Sequence, residues 1–149
     1  MYEPECFISI VSVLNRPFSR GHVHLASTDP YALPVFGPDF FSHPLNLEIH
    51  ARRTHWLETL AATEPVASLI KRDRSRLHSS KCVDDLETAR ELTRDRIVAH
   101  YHVTGTTAMV PRESGGVVDE RLRVFDTKNL RVVDADIMVP VPRGNIQAI

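Results

Sequence analysis

Hydrophobic residues follow two different periods along this chain, and the switches between them outline its organisation. Residues 7–14, Phe7-Ile8-Ser9-Ile10-Val11-Ser12-Val13-Leu14, are mostly apolar and β-branched, which predicts a buried strand. Asn15 to Gly21 carries turn chemistry. His22 to Ser27 then alternates, with Val23 and Leu25 on one face and His22, His24 and Ala26 on the other. Two such runs joined by a loop containing Pro17 and Gly21 predict an antiparallel pair. Asp29-Pro30 and Leu33-Pro34 break the chain before a short Val35-Phe36 segment.

Beyond that point the period lengthens. Ser42 is placed to cap a helix, and Pro44 falls in its first turn, where a missing N–H costs nothing. Leu45, Ile49, Trp56, Leu57 and Leu60 recur at helical spacing up to about Ala62, with Trp56 read as core or groove packing. Residues 71–82 are polar and without period, which predicts an exposed loop. Asp84 with Glu87 three residues on has the pattern of a capping box, and Leu86, Ala89, Leu92 and Ile97 continue a second helix to about Val98. Residues 101–107 read as strand or turn. Val117-Val118, Leu122–Val124 and Leu130–Val133 are short strand candidates, and Asn129 stands where a turn calls for positive φ. A β-rich start, two helices and a β-rich end make the fold class α+β.

Composition narrows the function classes. With 149 residues, 42% apolar and 25% charged, the chain suits one domain with a modest core. A formal charge of −1 gives no reason to expect nucleic acid or an acidic membrane surface as partner. The basic run at 71–82 contains Asp73 and no aromatic residue, so it reads as a solvated face. No apolar run approaches the roughly 20 residues that span a bilayer. Cys6 and Cys82 match no disulfide or metal-ligand spacing and read as free thiols. Residues 1–6 have neither the basic nor the apolar part of a secretion signal, and the compartment stays open. His22-x-His24 and His100-x-His102 each place two imidazoles close together, but nothing fixes further ligands, so no metal site is assigned. No Gly-x-Gly-x-x-Gly occurs, so no dinucleotide-binding βαβ unit is expected within the chain.

Candidate chemistry gathers in the last fifty residues. Tyr101-His102-Val103-Thr104-Gly105-Thr106 puts an imidazole beside a Gly-Thr turn, where the backbone is able to approach a flat ligand. An imidazole titrates near pH ~6.5 and so serves as base or acid at working pH. Gly116-Val117-Val118-Asp119, Asn129-Leu130-Arg131-Val132-Val133-Asp134-Ala135 and Gly144-Asn145 follow in order. Asn145 is both an ordinary helix N-cap and a candidate amide donor to an oxygen that gains negative charge.

This order resembles the C-terminal signature of the glucose–methanol–choline family of flavin-dependent alcohol oxidoreductases. The upstream half is similar too, in Arg16-Pro17-Phe18-Ser19-Arg20-Gly21-His22-Val23, Asp29-Pro30 and Pro38-Asp39-Phe40-Phe41-Ser42-His43-Pro44. The resemblance implies that residues 1–149 form the C-terminal, substrate-binding domain, an antiparallel sheet with covering helices. Its final strand is expected to join the sheet of a separate FAD-binding domain, which is expected to be missing here and to lie on the same or a companion chain. His102 then matches the base that removes the hydroxyl proton of a small alcohol substrate, with Asn145 as its polar partner. Asp134, Ala135, Asn145 and Ile146 match positions that touch FAD, and the chain alone is expected to be inactive. The alternative is a truncated non-catalytic remnant, or a binding module without flavin. Four residues depart from the family pattern: Thr107 for a frequent Cys, Asn129 for Gly, Asp136 for Ser, and Arg143 for a small residue, which would narrow the site or favour a polar substrate.

Overall fold

The computed structural model describes residues 7–70 and 82–148. The elements are β1 (His22–His24), β2 (Val35–Gly37), α1 (Pro44–Ala61), α2 (Val66–Leu69) and α3 (Leu86–Arg96), followed by short 3₁₀ turns at Arg112–Ser114, Ala135–Ile137 and Ile146–Ala148. Helices and an antiparallel sheet in separate stretches confirm the α+β class. The chain divides into two compact units, one of His43–Ile97 with Met1–Val13, the other of Leu14–Ser42 with Val98–Ile149. The run expected at 71–82 lies outside the described residues except for Cys82, which is exposed and has a free thiol.

The helical unit is built on two small residues. Ala51 on α1 and Ala89 on α3 are both fully buried, and their missing side-chain bulk lets the two helices approach closely. Val83 completes the cluster, with Leu86 and Leu92 packed against it. Thr54 on α1 meets Thr93 on α3 hydroxyl to hydroxyl at 3.2 Å. At the edge of this contact the Glu48 carboxylate takes two N–H groups from Arg90 at 2.8 and 3.2 Å and one from Arg52 at 2.6 Å. The inward stripe of α1 therefore runs through Asn46 and Ala51, with Ile49 and Leu57 partly buried. Leu45 and Trp56, expected on that stripe, are largely exposed. Trp56 instead lines a groove of about 430 Å³ with Arg52, His55, Thr59 and Leu86.

Both helix starts lie one residue later than the sequence predicts. The N-cap of α1 is His43, not Ser42: its Nδ1 accepts from the Leu45 N–H at 3.3 Å, and Pro44 opens the helix as expected. The N-cap of α3 is Asp85, whose carboxylate accepts from the Thr88 N–H at 2.7 Å. That puts Thr88, not Glu87, at the third helical position, so no capping box forms.

The strand expected over 7–14 is absent. This segment takes part in no described sheet, and Phe7, Ile8, Val11 and Val13 are between 40% and 66% exposed. β1 pairs antiparallel with β2 instead, in the register His22 with Gly37, Val23 with Phe36 and His24 with Val35. The anchor of residue 13 is a side chain, because the Arg53 guanidinium donates to the Val13 carbonyl at 2.9 Å. A β-rich composition makes an extended chain favourable but does not supply the partner that a ladder needs.

The C-terminal stretch is a hydrogen-bonded meander with few formal strands. The candidates at 117–118, 122–124 and 130–133 meet as isolated antiparallel bridges, Val118 with Val124 and Arg123 with Arg131. The tight turns between them take residues into positive φ, namely Leu122, Asp126 and, as expected, Asn129 at 61°. Asp119 closes the first turn by accepting from the N–H groups of Arg121 and Arg123, both at 2.9 Å, and from the Arg123 guanidinium at 2.8 Å.

Candidate active site

Three of the four C-terminal motifs are stitched together by backbone hydrogen bonds. Gly105 and Thr107 both donate to the Asp136 carbonyl, at 2.9 and 3.2 Å, and Met109 donates to Ile137 at 3.0 Å. The Gly-Thr turn after His102 thus rests on the 3₁₀ turn that opens at Asp134 and Ala135. Val117 donates to Ala108 at 2.9 Å, Phe125 to Val117 at 3.0 Å and Val124 to Leu130 at 3.1 Å. Each motif therefore holds the next in place.

The glycines at the junction have physical reasons. Gly105 sits at φ 93°, a conformation that a side chain resists, and this sharp bend brings its own N–H and that of Thr107 onto one carbonyl. Gly116 is forced by space, since a Cβ there would fall 1.9 Å from the Val110 carbonyl oxygen.

His102 itself is half-buried, and its Nδ1 is buried with no hydrogen-bond partner. The hydroxyls of Thr104 and Thr107 are in the same condition, so a stretch of six residues carries three buried polar atoms without partners. Such atoms are costly, at about 1–3 kcal/mol each, so this stretch has bonding capacity for a further polar group, whether water or ligand. Tyr101, immediately before the imidazole, is held at φ 58° and is 92% exposed. For a bulky residue this is a strained conformation of the kind that concentrates at functional sites. Of the two expectations for 101–107, strand or turn, the chain takes the turn. The rings of His100 and His102 still meet edge to face, with centroids 5.3 Å apart.

Asp134 and Ala135 lie where the Gly-Thr turn docks. One carboxylate oxygen of Asp134 accepts from the Asp136 N–H at 2.8 Å and so starts the 3₁₀ turn. The Asp136 carboxylate accepts from the Thr106 hydroxyl. Asn145 and Ile146 are not joined to this cluster by any hydrogen bond among the described residues. Asn145 is exposed, and its carbonyl oxygen accepts from the Gln147 N–H at 2.8 Å, capping the turn that Ile146 begins. Because the oxygen is engaged in the cap, the amide NH₂ is the end left to donate. Arg143 is exposed beside it.

The structure adds Thr104, Thr107 and Asp136 to the candidate residues. The signal was present, in three threonines crowded around one glycine and an acid in place of serine. The β1–β2 hairpin adds a further polar pair, His22 Nδ1 with Asp39 at 3.0 Å, and the His22 and His24 rings stack at 5.0 Å. Among the described residues, no three His, Cys, Asp or Glu side chains gather into a metal-binding group. No helix among them is long and apolar enough to cross a membrane.

The comparisons with known proteins cover nearly all of the chain. The family model for GMC oxidoreductase matches residues 17–149. A GMC oxidoreductase family protein of Malassezia sympodialis, Mala s 12, is 36% identical over 130 residues, which are 87% of this chain and 21% of that protein. Among solved structures, a formate oxidase of Aspergillus oryzae RIB40 studied for modification of its FAD superposes with a TM-score of 0.75 at 29% identity, over 86% of this chain and 22% of that one. A fungal aryl-alcohol oxidase gives 0.66 at 30% identity, over 87% and 21%. The chain thus spans about a fifth of the length of these relatives. Sequence order, the docking of the Gly-Thr turn and these matches lead to one conclusion: the chain belongs to the GMC oxidoreductase family.

Proposed function

We propose that residues 1–149 form one wall of the active site of a flavin-dependent oxidoreductase that converts an alcohol to an aldehyde or ketone. The observation that carries this reading is His102, whose buried, unpartnered Nδ1 stands beside a Gly-Thr turn fixed to the Asp134–Asp136 segment. An FAD-binding domain on the same or a companion chain supplies the other wall. The exposed Leu130 and Val133 support a last strand that docks on that domain's sheet.

The residues present suit a polar planar cofactor. The Thr104 and Thr107 hydroxyls and His102 Nδ1 offer buried bonding capacity. Asp134, Ala135, Asn145 and Ile146 are the side of this chain that meets it. Bound flavin supplies the hydride acceptor. His102, as the neutral imidazole, takes the hydroxyl proton of the alcohol. Asn145 donates its amide N–H to the same oxygen as charge develops there, while its own carbonyl stays in the Gln147 cap and fixes the side chain's direction.

The test compares the chain alone with the chain mixed with an FAD-binding region from a family member, by flavin absorbance and by its bleaching on adding aryl or aliphatic alcohols. Flavin retained and bleached only in the mixture supports the reading. Stoichiometric flavin on the chain alone contradicts the dependence on a second wall, and no flavin in either sample favours the non-catalytic remnant.

A further inference from the structure

We propose that Asp136 is a positioning residue for His102, acting through the hydroxyl of Thr106. The inference rests on the assignment of His102 as the base and deepens it. Two kinds of bond hold the Gly-Thr turn to residue 136. The N–H groups of Gly105 and Thr107 donate to the Asp136 carbonyl, and any residue at 136 would accept them equally well. The third bond belongs to the side chain, because the Asp136 carboxylate accepts from the Thr106 hydroxyl.

A carboxylate accepts only, so the direction of this bond is fixed, and its charge makes it stronger than a neutral one. The backbone that carries this carboxylate is itself held, since the Asp136 N–H donates to the Asp134 carboxylate at 2.8 Å. Thr106 is the exposed threonine of the run and is engaged, whereas Thr104 and Thr107 keep buried hydroxyls without partners. The clamp therefore sorts three chemically identical side chains, one fastened outward and two left buried with free bonding capacity. It also pins the turn four residues after His102, opposite the strained Tyr101 on the other side of the imidazole. Serine, the residue more usual after Asp-Ala in the family pattern, has a shorter reach and no charge.

The test uses Thr106→Val, Asp136→Ala, the double variant and Asp136→Asn, which keeps an acceptor oxygen. In the full chain, the His102 ring C–H signal is followed by NMR. In the flavin-loaded assembly, kcat and KM are measured. Thr106→Val and Asp136→Ala are expected to move the His102 signal alike and to lower kcat by about tenfold with KM nearly unchanged, as a displaced catalytic group does. The double variant should lose no more than either single one, and Asp136→Asn should restore most of the rate. Losses that multiply in the double variant, or a His102 signal unmoved by both single changes, would overturn the clamp. Full activity in His102→Gln would overturn the base assignment instead, and the NMR comparison then decides the clamp by itself.

Discussion

Gly116 illustrates how single residues fix the site from a distance. It lies in the second motif, where Val117 reaches Ala108 and so supports the turn after His102. Any side chain at this position meets the Val110 carbonyl, which belongs to the backbone and cannot rotate away. Gly116→Ala is expected to cost about 1–3 kcal/mol, the range of overpacked interiors, as a lowered denaturant midpoint with unchanged slope. At this scale the sequence is legible where chemistry is local. Asn129 adopts positive φ because its short polar side chain tolerates it, and the motif alone suggested so. Each cap falls one residue later than the pattern predicts because Ser42 and His43, or Asp84 and Asp85, are adjacent polar candidates. Only the path of the backbone decides which side chain meets the free N–H.

At the scale of elements, the α1–α3 pair was readable in outline but not in its facing. Large side chains dominate a periodicity count, yet the contact is made by Ala51 and Ala89, whose value is their smallness. The same pair carries a pH dependence. Burial and the charge of Arg53 hold the His50 imidazole below its usual value of 6.5, so its contribution is complete above that pH and is lost as pH falls. The Arg90 contacts hold the Glu48 carboxyl below its usual 4.5, and the Thr88 N–H holds Asp85 below 3.8. Their contributions are present above those values and disappear as the carboxyls protonate. Stability of the helical unit is therefore expected to fall in two stages on acidification, first below pH 6.5 and again below 4.5. Urea unfolding followed by Trp56 fluorescence checks this, and His50→Gln should remove the first stage alone. In the other unit, the Arg123 guanidinium holds Asp119 at about 2 from a usual 3.8. The Asp119 turn should thus lose stability only between those two values, which Asp119→Asn would flatten. The strand missing at 7–14 has the complementary lesson. Apolar alternation shows what a segment is able to do in a sheet, and pairing depends on a neighbour that the segment does not encode.

For the whole molecule, motif order was the most legible feature, since it named the family that the comparisons then showed. Less legible was how the motifs hold one another, because the bonds from Gly105 and Thr107 to Asp136 are backbone contacts across thirty residues. His102 and its turn emerge as a prepared cluster, while Asn145 stands apart on its own cap. The central claim is that His102 takes the alcohol proton. Its most direct test is the rate of flavin reduction by an alcohol, measured by stopped flow in the assembled oxidoreductase with His102 and with His102→Gln. A fall of about 10²–10⁴-fold with flavin still bound is the expected result. An unchanged reduction rate at full flavin occupancy would contradict it.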